Sequence, residues 1–599
     1  MNVQERISKL RKLMKERNID IYYIPNEDDH LSEEYTADHF KCKSYMSGFS
    51  GDAGCTIITE NFAGLWTDGR YFTAAEEELK GTGVELMRLR QEGVPDPIPF
   101  VIENVPENGT VGFDGSVVSA DTSLLLTREL QAKHAKMHVS EDLVGMVWKD
   151  RPAMPEQPLF IMPQQFTGTT ASERIAMVRQ EMDKKGADVL VLTQLEDPCW
   201  MLNIRGNDIP CTPVPYAFAL VTKEQVYYYI DSRKLTDEVR RYLEDNGVMI
   251  RPYDGMDEEL STLHGKMIWT DLHSLNTKLY SAIPTDNRLI NEVSPIMRFR
   301  SVKNETEIRC MHDSQVRDGV AMVKFLMWVK KNVKNGDLDE LKAAKYLDGL
   351  RAQQDRFIEP SFETISAYQA NAAMMHYTAT EEKYSHVDPK GFLLVDSGGT
   401  YYDGSTDITR TIACGPLTEE EKHDYTLVLK GHLDLMAAKF LKGTMGNNLD
   451  ILARRPLWDL HIDYQCGTGH GVGYALSVHE GIHGIRWGVP TASRPSVPFE
   501  AGMIVTDEPG IYLPHKLGIR IENDLLVVKD EKNFYGQWMK FEPMTLCPYE
   551  REAIDPQYLE KNEIEEINAY HQMVWEKLSP YLNEEEKAWL KEQTEPIRV

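Results

Sequence analysis

The sequence predicts an α/β protein whose first half is a duplicated layer domain and whose second half carries the chemistry. Three observations lead there. A helical pattern feeds a strand at the very start of the chain, one motif order occurs twice, and the segments rich in glycine, carboxylate and histidine are confined to the region after residue 390. At 599 residues the chain is too long for a single core, and roughly three or four domains are expected.

The first element spans residues 4–18, where Ile7, Leu10 and Met14 recur at helical spacing between charges. Ile19 to Ile24 then reads as a strand closed by Pro25-Asn26. A helix leading directly into a strand is the start of an α/β layer. Next, Tyr45 to Asp52 precedes an apolar strand, Cys55 to Thr59, which is followed by Trp66-Thr67-Asp68-Gly69-Arg70-Tyr71. The same order returns later. Trp200 to Asn207 precedes the strand Ala217 to Val221, and Tyr229-Ile230-Asp231-Ser232-Arg233-Lys234 follows. Helical patterns precede both copies, the second at 172–185. Duplication of one domain is the simplest account. The proline-bearing stretch from Arg151 to Pro163 is the linker between copies. The second copy ends near Pro295 to Arg298, and a long helix starts around Asn304. The tail at 561–592 reads as charged amphipathic helix, a packing or dimer element.

Bulk composition narrows the function. Lys plus Arg is 66 and Asp plus Glu is 94, a net charge of −28. This disfavours nucleic acid and anionic membrane as partners. The N-terminus lacks the apolar stretch of a secretory signal, and there is no run of eighteen apolar residues, so neither secretion nor membrane insertion is expected. Eight cysteines are scattered without C-x-x-C pairs, which fits reduced thiols in a cytoplasm.

Four short segments hold the candidate site. An apolar strand at 392–395 ends in Asp396-Ser397-Gly398-Gly399. Asp403-Gly404 is a hairpin signal that returns Asp407 to the neighbourhood of Asp396. A turn centred there pairs Asp407 with Thr400. In Cys466-Gly467-Thr468-Gly469-His470-Gly471-Val472-Gly473, glycines surround one histidine and permit close backbone approach. Finally, 505–512 and 518–523 form strand-like runs about a turn near Pro514-His515-Lys516, which opposes Glu508 to Glu522. Two like charges opposed on one sheet face are destabilising unless a cation lies between them. Asp396, Asp407, His470, Glu508 and Glu522 together are too anionic for a closed zinc site. They suit two divalent ions sharing carboxylates and a water, and oxygen-rich ligation favours manganese.

On these residues the chain resembles the pita-bread metallopeptidases, the family of methionine aminopeptidase, prolidase and aminopeptidase P. Within it, the likeness is to the long, three-domain, cytosolic Xaa-Pro aminopeptidases. It covers nearly the whole chain, including Ser47-Gly48-Phe49, Trp66 to Phe72, Val302-Lys303-Asn304, Pro360 to Ile365 and Phe541-Glu542-Pro543. The resemblance implies two creatinase-like α/β domains at 1–155 and 156–300, then an α+β pita-bread catalytic domain at 301–599 with a helical extension. It implies that Asp396 binds one ion, His470 and Glu508 the other, and that Asp407 and Glu522 bridge them. Glu508 would also carry a proton from a bridging hydroxide's parent water to the leaving nitrogen. His376 falls at a substrate-binding position, and His479 at one that steadies the scissile carbonyl and its oxyanion. Cys466 departs from the pattern, because the family has histidine there, on the proline side of the pocket; a thiol is smaller and a poorer donor, and predicts a thiol-sensitive enzyme. The implied partners are peptides with proline second, and the implied assembly is a homodimer. A prolidase acting on Xaa-Pro dipeptides and a catalytically silent peptide-binding module are the alternatives. The duplicated N-terminal domain argues against the first and the full set of five ligands against the second.

Overall fold

The computed structural model describes residues 1–32, 34–491 and 496–598. The chain divides into two compact units. The first comprises Met1–Met162 and Thr169–Ile296, the second Pro163–Gly168 and Met297–Val599.

Three helices that open successive parts of the chain start with the same chemistry. Asn2 with Glu5, Thr170 with Glu173, and Asn304 with Glu307 each form a reciprocal capping box, which satisfies otherwise orphaned helix-start N–H groups. The first helix, Val3–Glu16, buries Ile7, Leu10 and Met14, the stripe read from the sequence.

The duplication expected from the motif order is visible as topology. One six-stranded sheet runs Glu85–Arg88, Ala63–Thr67, Cys55–Thr59, Ile21–Pro25, Thr110–Gly112, Lys136–His138. The other runs Val248–Arg251, Val226–Ile230, Ala217–Thr222, Val189–Leu192, Met267–Thr270, Arg288–Asn291. In both, the third strand pairs antiparallel with the second and fourth, and every other pair is parallel. The copies meet at equivalent points. Ser119 and Asn276 each cap the helix that follows the fifth strand of their sheet, and they form an antiparallel bridge with each other. Reciprocal bonds, Ala120 N–H to Leu275 carbonyl and Thr277 N–H to Val118 carbonyl (2.8 Å each), flank it.

In the second unit, the helix Glu305–Asn332 packs against the helices Glu340–Arg351, Lys561–Leu578 and Glu584–Gln593, and its Met322, Phe325 and Leu326 share a core with a three-stranded sheet of Ile365–Tyr368, Phe392–Ser397 and Ile408–Ala413; a third six-stranded sheet and the paired helices Glu419–Met436 and Gly446–Trp458 complete the unit. The largest apolar cluster of the chain, from Val320 through Val428, Leu433 and Val505 to Leu578, lies here. The tail forms two helices, Lys561–Leu578 and Glu584–Gln593, interrupted at Ser579-Pro580 because proline offers no N–H to continue the ladder. Ile564, Ile567, Val574 and Leu578 are buried in that cluster, so the tail is a packing element. Among the described residues no helix is long and apolar enough to cross a membrane.

Candidate metal centre

Apolar Phe392, Leu393, Leu394 and Val395 make a fully buried central strand, and its register fixes Asp396 opposite Thr409. The turn differs from the one expected. Tyr401 pairs with Gly404, so the turn residues are Tyr402 and Asp403, and Thr406 N–H bonds the Gly399 carbonyl. Asp407 therefore falls opposite Gly398 rather than Thr400. The cause is tertiary: the Asp403 carboxylate is fully buried between Arg317 and Arg356. The slip brings Asp407 two residues nearer, onto the diagonal from Asp396 on the same face, where side chains can meet.

Glu508 and Glu522 lie in a gap between two ladders of one register. Asp507 pairs with Asn523 on one side and Gly510 with Arg520 on the other, which leaves Glu508 facing Glu522, as the hairpin centre predicted. Within the gap each glutamate's N–H turns to another strand, Glu508 to the Thr468 carbonyl (2.8 Å) and Glu522 to the Thr409 carbonyl (3.1 Å).

His470 sits in the strand Gly469–Gly471, and the glycines beside it are sterically required. A Cβ at Gly469 would lie 1.9 Å from the Thr506 carbonyl oxygen, and one at Gly471 2.5 Å from the His483 ring. His470 Nδ1 lies 2.8 Å from the Gly471 carbonyl. A carbonyl only accepts, so Nδ1 carries the hydrogen and Nε2 presents its lone pair in the neutral ring. That nitrogen faces Asp407 Oδ2 at 3.4 Å and Glu508 Oε1 at 3.5 Å.

Possible ligand atoms gather in three overlapping groups, each within 4.8 Å: Asp396 with Asp407 and Glu522; His470 with Glu508 and Glu522; Asp407 with His470 and His479. Burial, then the charge of Asp396 and Glu508, pushes the Asp407 carboxyl well above the usual carboxylate range. Burial, then Asp407, Glu508 and Asp396, does the same to Glu522. The arrangement is a basin of acceptors with little to satisfy them; Asp396 Oδ1 is buried without a hydrogen-bond partner.

Surrounding groups hold this basin in shape. Arg520 donates to Asp396 (2.5 Å), to Thr409 (3.2 Å) and to the Tyr512 hydroxyl (2.7 Å). Thr409 in turn donates to Glu522 at 2.6 Å. Thr506 accepts the His470 N–H (3.0 Å) and donates to Glu508 Oε1 (3.1 Å), orienting two of the candidate ligands at once. A further buried carboxylate, Asp524, accepts the Asp407 N–H (3.2 Å) and a bond from Gln315 (2.5 Å). Sequence reasoning missed Arg520 and Asp524. The two-residue period of a strand, applied to Arg520-Ile521-Glu522-Asn523-Asp524, offered the signal.

His479 lies beside this basin, its ring 4.4 Å from that of His470 at 80°. His376 is half-buried in the turn after Gln369–Ala373 and belongs to none of the three groups. Cys466 is also outside them. Its carbonyl accepts from Arg454 (2.7 Å), and its half-buried side chain packs against the main apolar cluster. Burial, then the nearby charge of Glu508, pushes its thiol up to about 12, which disfavours the reactive thiolate.

Comparison with known proteins agrees along the whole chain. Residues 309–529 match the model of metallopeptidase family M24, and 537–597 its C-terminal region. Residues 6–146 and 150–307 each match a creatinase/prolidase N-terminal domain. A probable Xaa-Pro aminopeptidase P of Laccaria bicolor is 38% identical over 617 residues, covering 100% of this chain and 94% of the relative. Xaa-Pro aminopeptidase 1 of Dictyostelium discoideum is 38% identical over 616 residues, covering 99% and 97%. Among solved structures, the X-prolyl aminopeptidase of Caenorhabditis elegans, described as a cytosolic enzyme with a di-nuclear active site, superposes with a TM-score of 0.94 at 32% identity, over 100% of both chains.

Proposed function

This chain belongs to metallopeptidase family M24, and on that premise we propose that it is a dinuclear-metal Xaa-Pro aminopeptidase, hydrolysing the bond between an N-terminal residue and a following proline. One observation carries the reading: the His470 Nε2 lone pair faces two carboxylate oxygens at 3.4 and 3.5 Å. An acceptor set among acceptors is unfavourable until a cation stands between them. The buried, unpartnered Asp396 Oδ1 fits the same requirement.

Asp396, Asp407, His470, Glu508 and Glu522 would hold two divalent ions. Four carboxylates and one imidazole make a hard, oxygen-rich donor set, which favours manganese. Bound there, the ions supply Lewis acidity toward the scissile carbonyl and toward a water. The chain's own residues do the rest. Glu508, its side chain 20% exposed and its Oε1 oriented by Thr506, takes a proton from the attacking water and gives it to the departing proline nitrogen. That nitrogen leaves a tertiary amide and must gain a hydrogen it never had. His479 donates to the oxyanion that develops on the carbonyl, and His376 to the bound peptide. Cys466 lies on the proline side, where its small sulfur widens the pocket.

The substrates are therefore peptides with proline in second place. A cytoplasmic setting agrees with the cytosolic nematode relative and with eight cysteines that form no disulfide. A homodimer is the assembly the resemblance implies, and light scattering on the purified chain tests it. The deciding experiment offers Arg-Pro-Pro beside an Xaa-Pro dipeptide. Release of arginine from the tripeptide, abolished by chelator, is expected. Cleavage of the dipeptide alone would make the protein a prolidase, and cleavage of neither would favour a silent binding module.

A further inference from the structure

Three charged side chains are buried together beside His479, and the reaction gives them no role. Lys303 and Glu480 are fully buried and Arg300 is 4% exposed. Lys303 Nζ pairs with Glu480 Oε2 and donates to the Arg300 carbonyl at 2.9 Å, while Arg300 Nη1 stands 3.6 Å from Glu480 Oε1. A buried ion pair seldom adds net stability over an apolar replacement, so a function for it must be sought in what it fixes.

What it fixes is a bulge. Gly469 pairs with Ile485 and His470 with Gly484, but the next residue, Gly471, pairs with Glu480. Gly481, Ile482 and His483 are thus looped out of the ladder, with Gly481 at φ +38°. Bulges beside active sites re-aim a side chain. This one ends on His479-Glu480, and successive residues point opposite ways. With Glu480 gripped on one side, His479 faces the His470 ring on the other. The same lysine ties the neighbouring segment, because its N–H bonds the Gly502 carbonyl (2.9 Å) just ahead of the strand Ile504–Asp507 that leads to Glu508.

We infer that Lys303, acting through Glu480, is a positioning residue for His479. The inference rests on the aminopeptidase reading above, in which His479 steadies the oxyanion. Lys303→Met alone leaves Glu480 still facing Arg300, so the informative variant is Lys303→Met with Glu480→Gln, which removes the Lys303–Glu480 pair and leaves Arg300 as the one remaining charge of the three. It is expected to keep its unfolding temperature near that of the native chain and to keep two metal ions. Its kcat on Arg-Pro-Pro should fall about ten- to hundred-fold with KM little changed, the scale of loss for a slightly misplaced group. His479→Ala supplies the cross-check. It should cost a large factor in the native background and little more in the double variant, since a misaimed histidine has nothing left to lose. Full additivity of the two changes, or native kcat in the double variant, would overturn the positioning role. Native kcat in His479→Ala alone would instead remove the role assigned to the histidine, and the inference with it.

Discussion

The Tyr253 hydroxyl stands 2.6 Å from Asp29 Oδ2 and 2.9 Å from His30 Nε2, at the junction of the two repeats of the N-terminal unit. His30 Nδ1 must carry its hydrogen, because its partner at 2.6 Å is the Thr193 carbonyl. Burial lowers this imidazole to about 3, so the ring is neutral and Nε2 can only accept. The single Tyr253 hydrogen serves Nε2, and the short contact to Asp29 then needs a hydrogen from the carboxyl itself. Asp28 next door accepts the N–H groups of His30 and Ser32 and the Tyr216 hydroxyl, which favour its anion against the burial that raises it to about 7. Burial, then the charge of Asp28, raises Asp29 to about 8, with Asp114 adding to the rise and Lys234 facing His30.

A pH dependence follows with a definite sign. The folded chain holds a proton on Asp29 that the unfolded chain releases near 3.8. Its stabilising contribution is complete below that value and is lost as pH rises through about 8. Between those limits unfolding free energy should fall by up to about 1.4 kcal/mol per pH unit. Asp29→Asn, which keeps a donor toward Tyr253 at every pH, should flatten that portion of the slope. Urea midpoints from pH 5 to 9 for both chains check it, and equal slopes would contradict the protonation assigned here.

Glu508→Ala removes a candidate ligand and the proton carrier together. Activity on Arg-Pro-Pro should fall by about a thousand-fold or more, within the range general acid–base groups supply. The fold should persist, since the Glu508 N–H to Thr468 bond and both flanking ladders are backbone contacts. Circular dichroism beside the rate measurement separates the two effects. A variant with native turnover would refute the proton role.

How much of this was legible in advance depends on which force set each feature. The Glu508–Glu522 opposition was readable, because both ladders about Pro514-His515-Lys516 keep one register. So was the duplication, since apolar strands and their turn motifs recur in order. The Asp403-Gly404 turn was misjudged because local turn preference lost to burial of Asp403 between two arginines that lie far away in sequence. The Lys303–Glu480 pair was invisible for the same reason: 177 residues separate its members, and only the folded bulge brings them together.

Removing divalent ions should destabilise the catalytic unit. Without them the Asp396, Asp407, Glu508 and Glu522 carboxylates crowd within a few ångströms, with Arg520 paired to Asp396 as the cation that offsets them. Returning manganese should raise the unfolding temperature in a concentration-dependent way, worth about 2.7 kcal/mol at a hundredfold excess over Kd. Calorimetry of the chelated chain across a manganese series reads this directly. A melting temperature indifferent to the ion would mean that the basin does not bind it.

Cys466 tests the departure from the family pattern. Its half-buried side chain packs on the main apolar cluster, and its backbone, not its sulfur, is what Arg454 holds. Cys466→Ala should therefore cost only about 1 kcal/mol of stability, the scale of a partly buried small group, and leave the metal content intact. Because burial holds the thiol near 12, iodoacetamide at pH 8 should label it far more slowly in the folded chain than after unfolding, and activity should survive that treatment. Cys466→His, which restores the ring donor that the family resemblance puts on the proline side, should change KM for Arg-Pro-Pro more than it changes the metal-dependent kcat. A collapse of kcat with loss of metal in that variant would place Cys466 against the ions rather than against the proline ring.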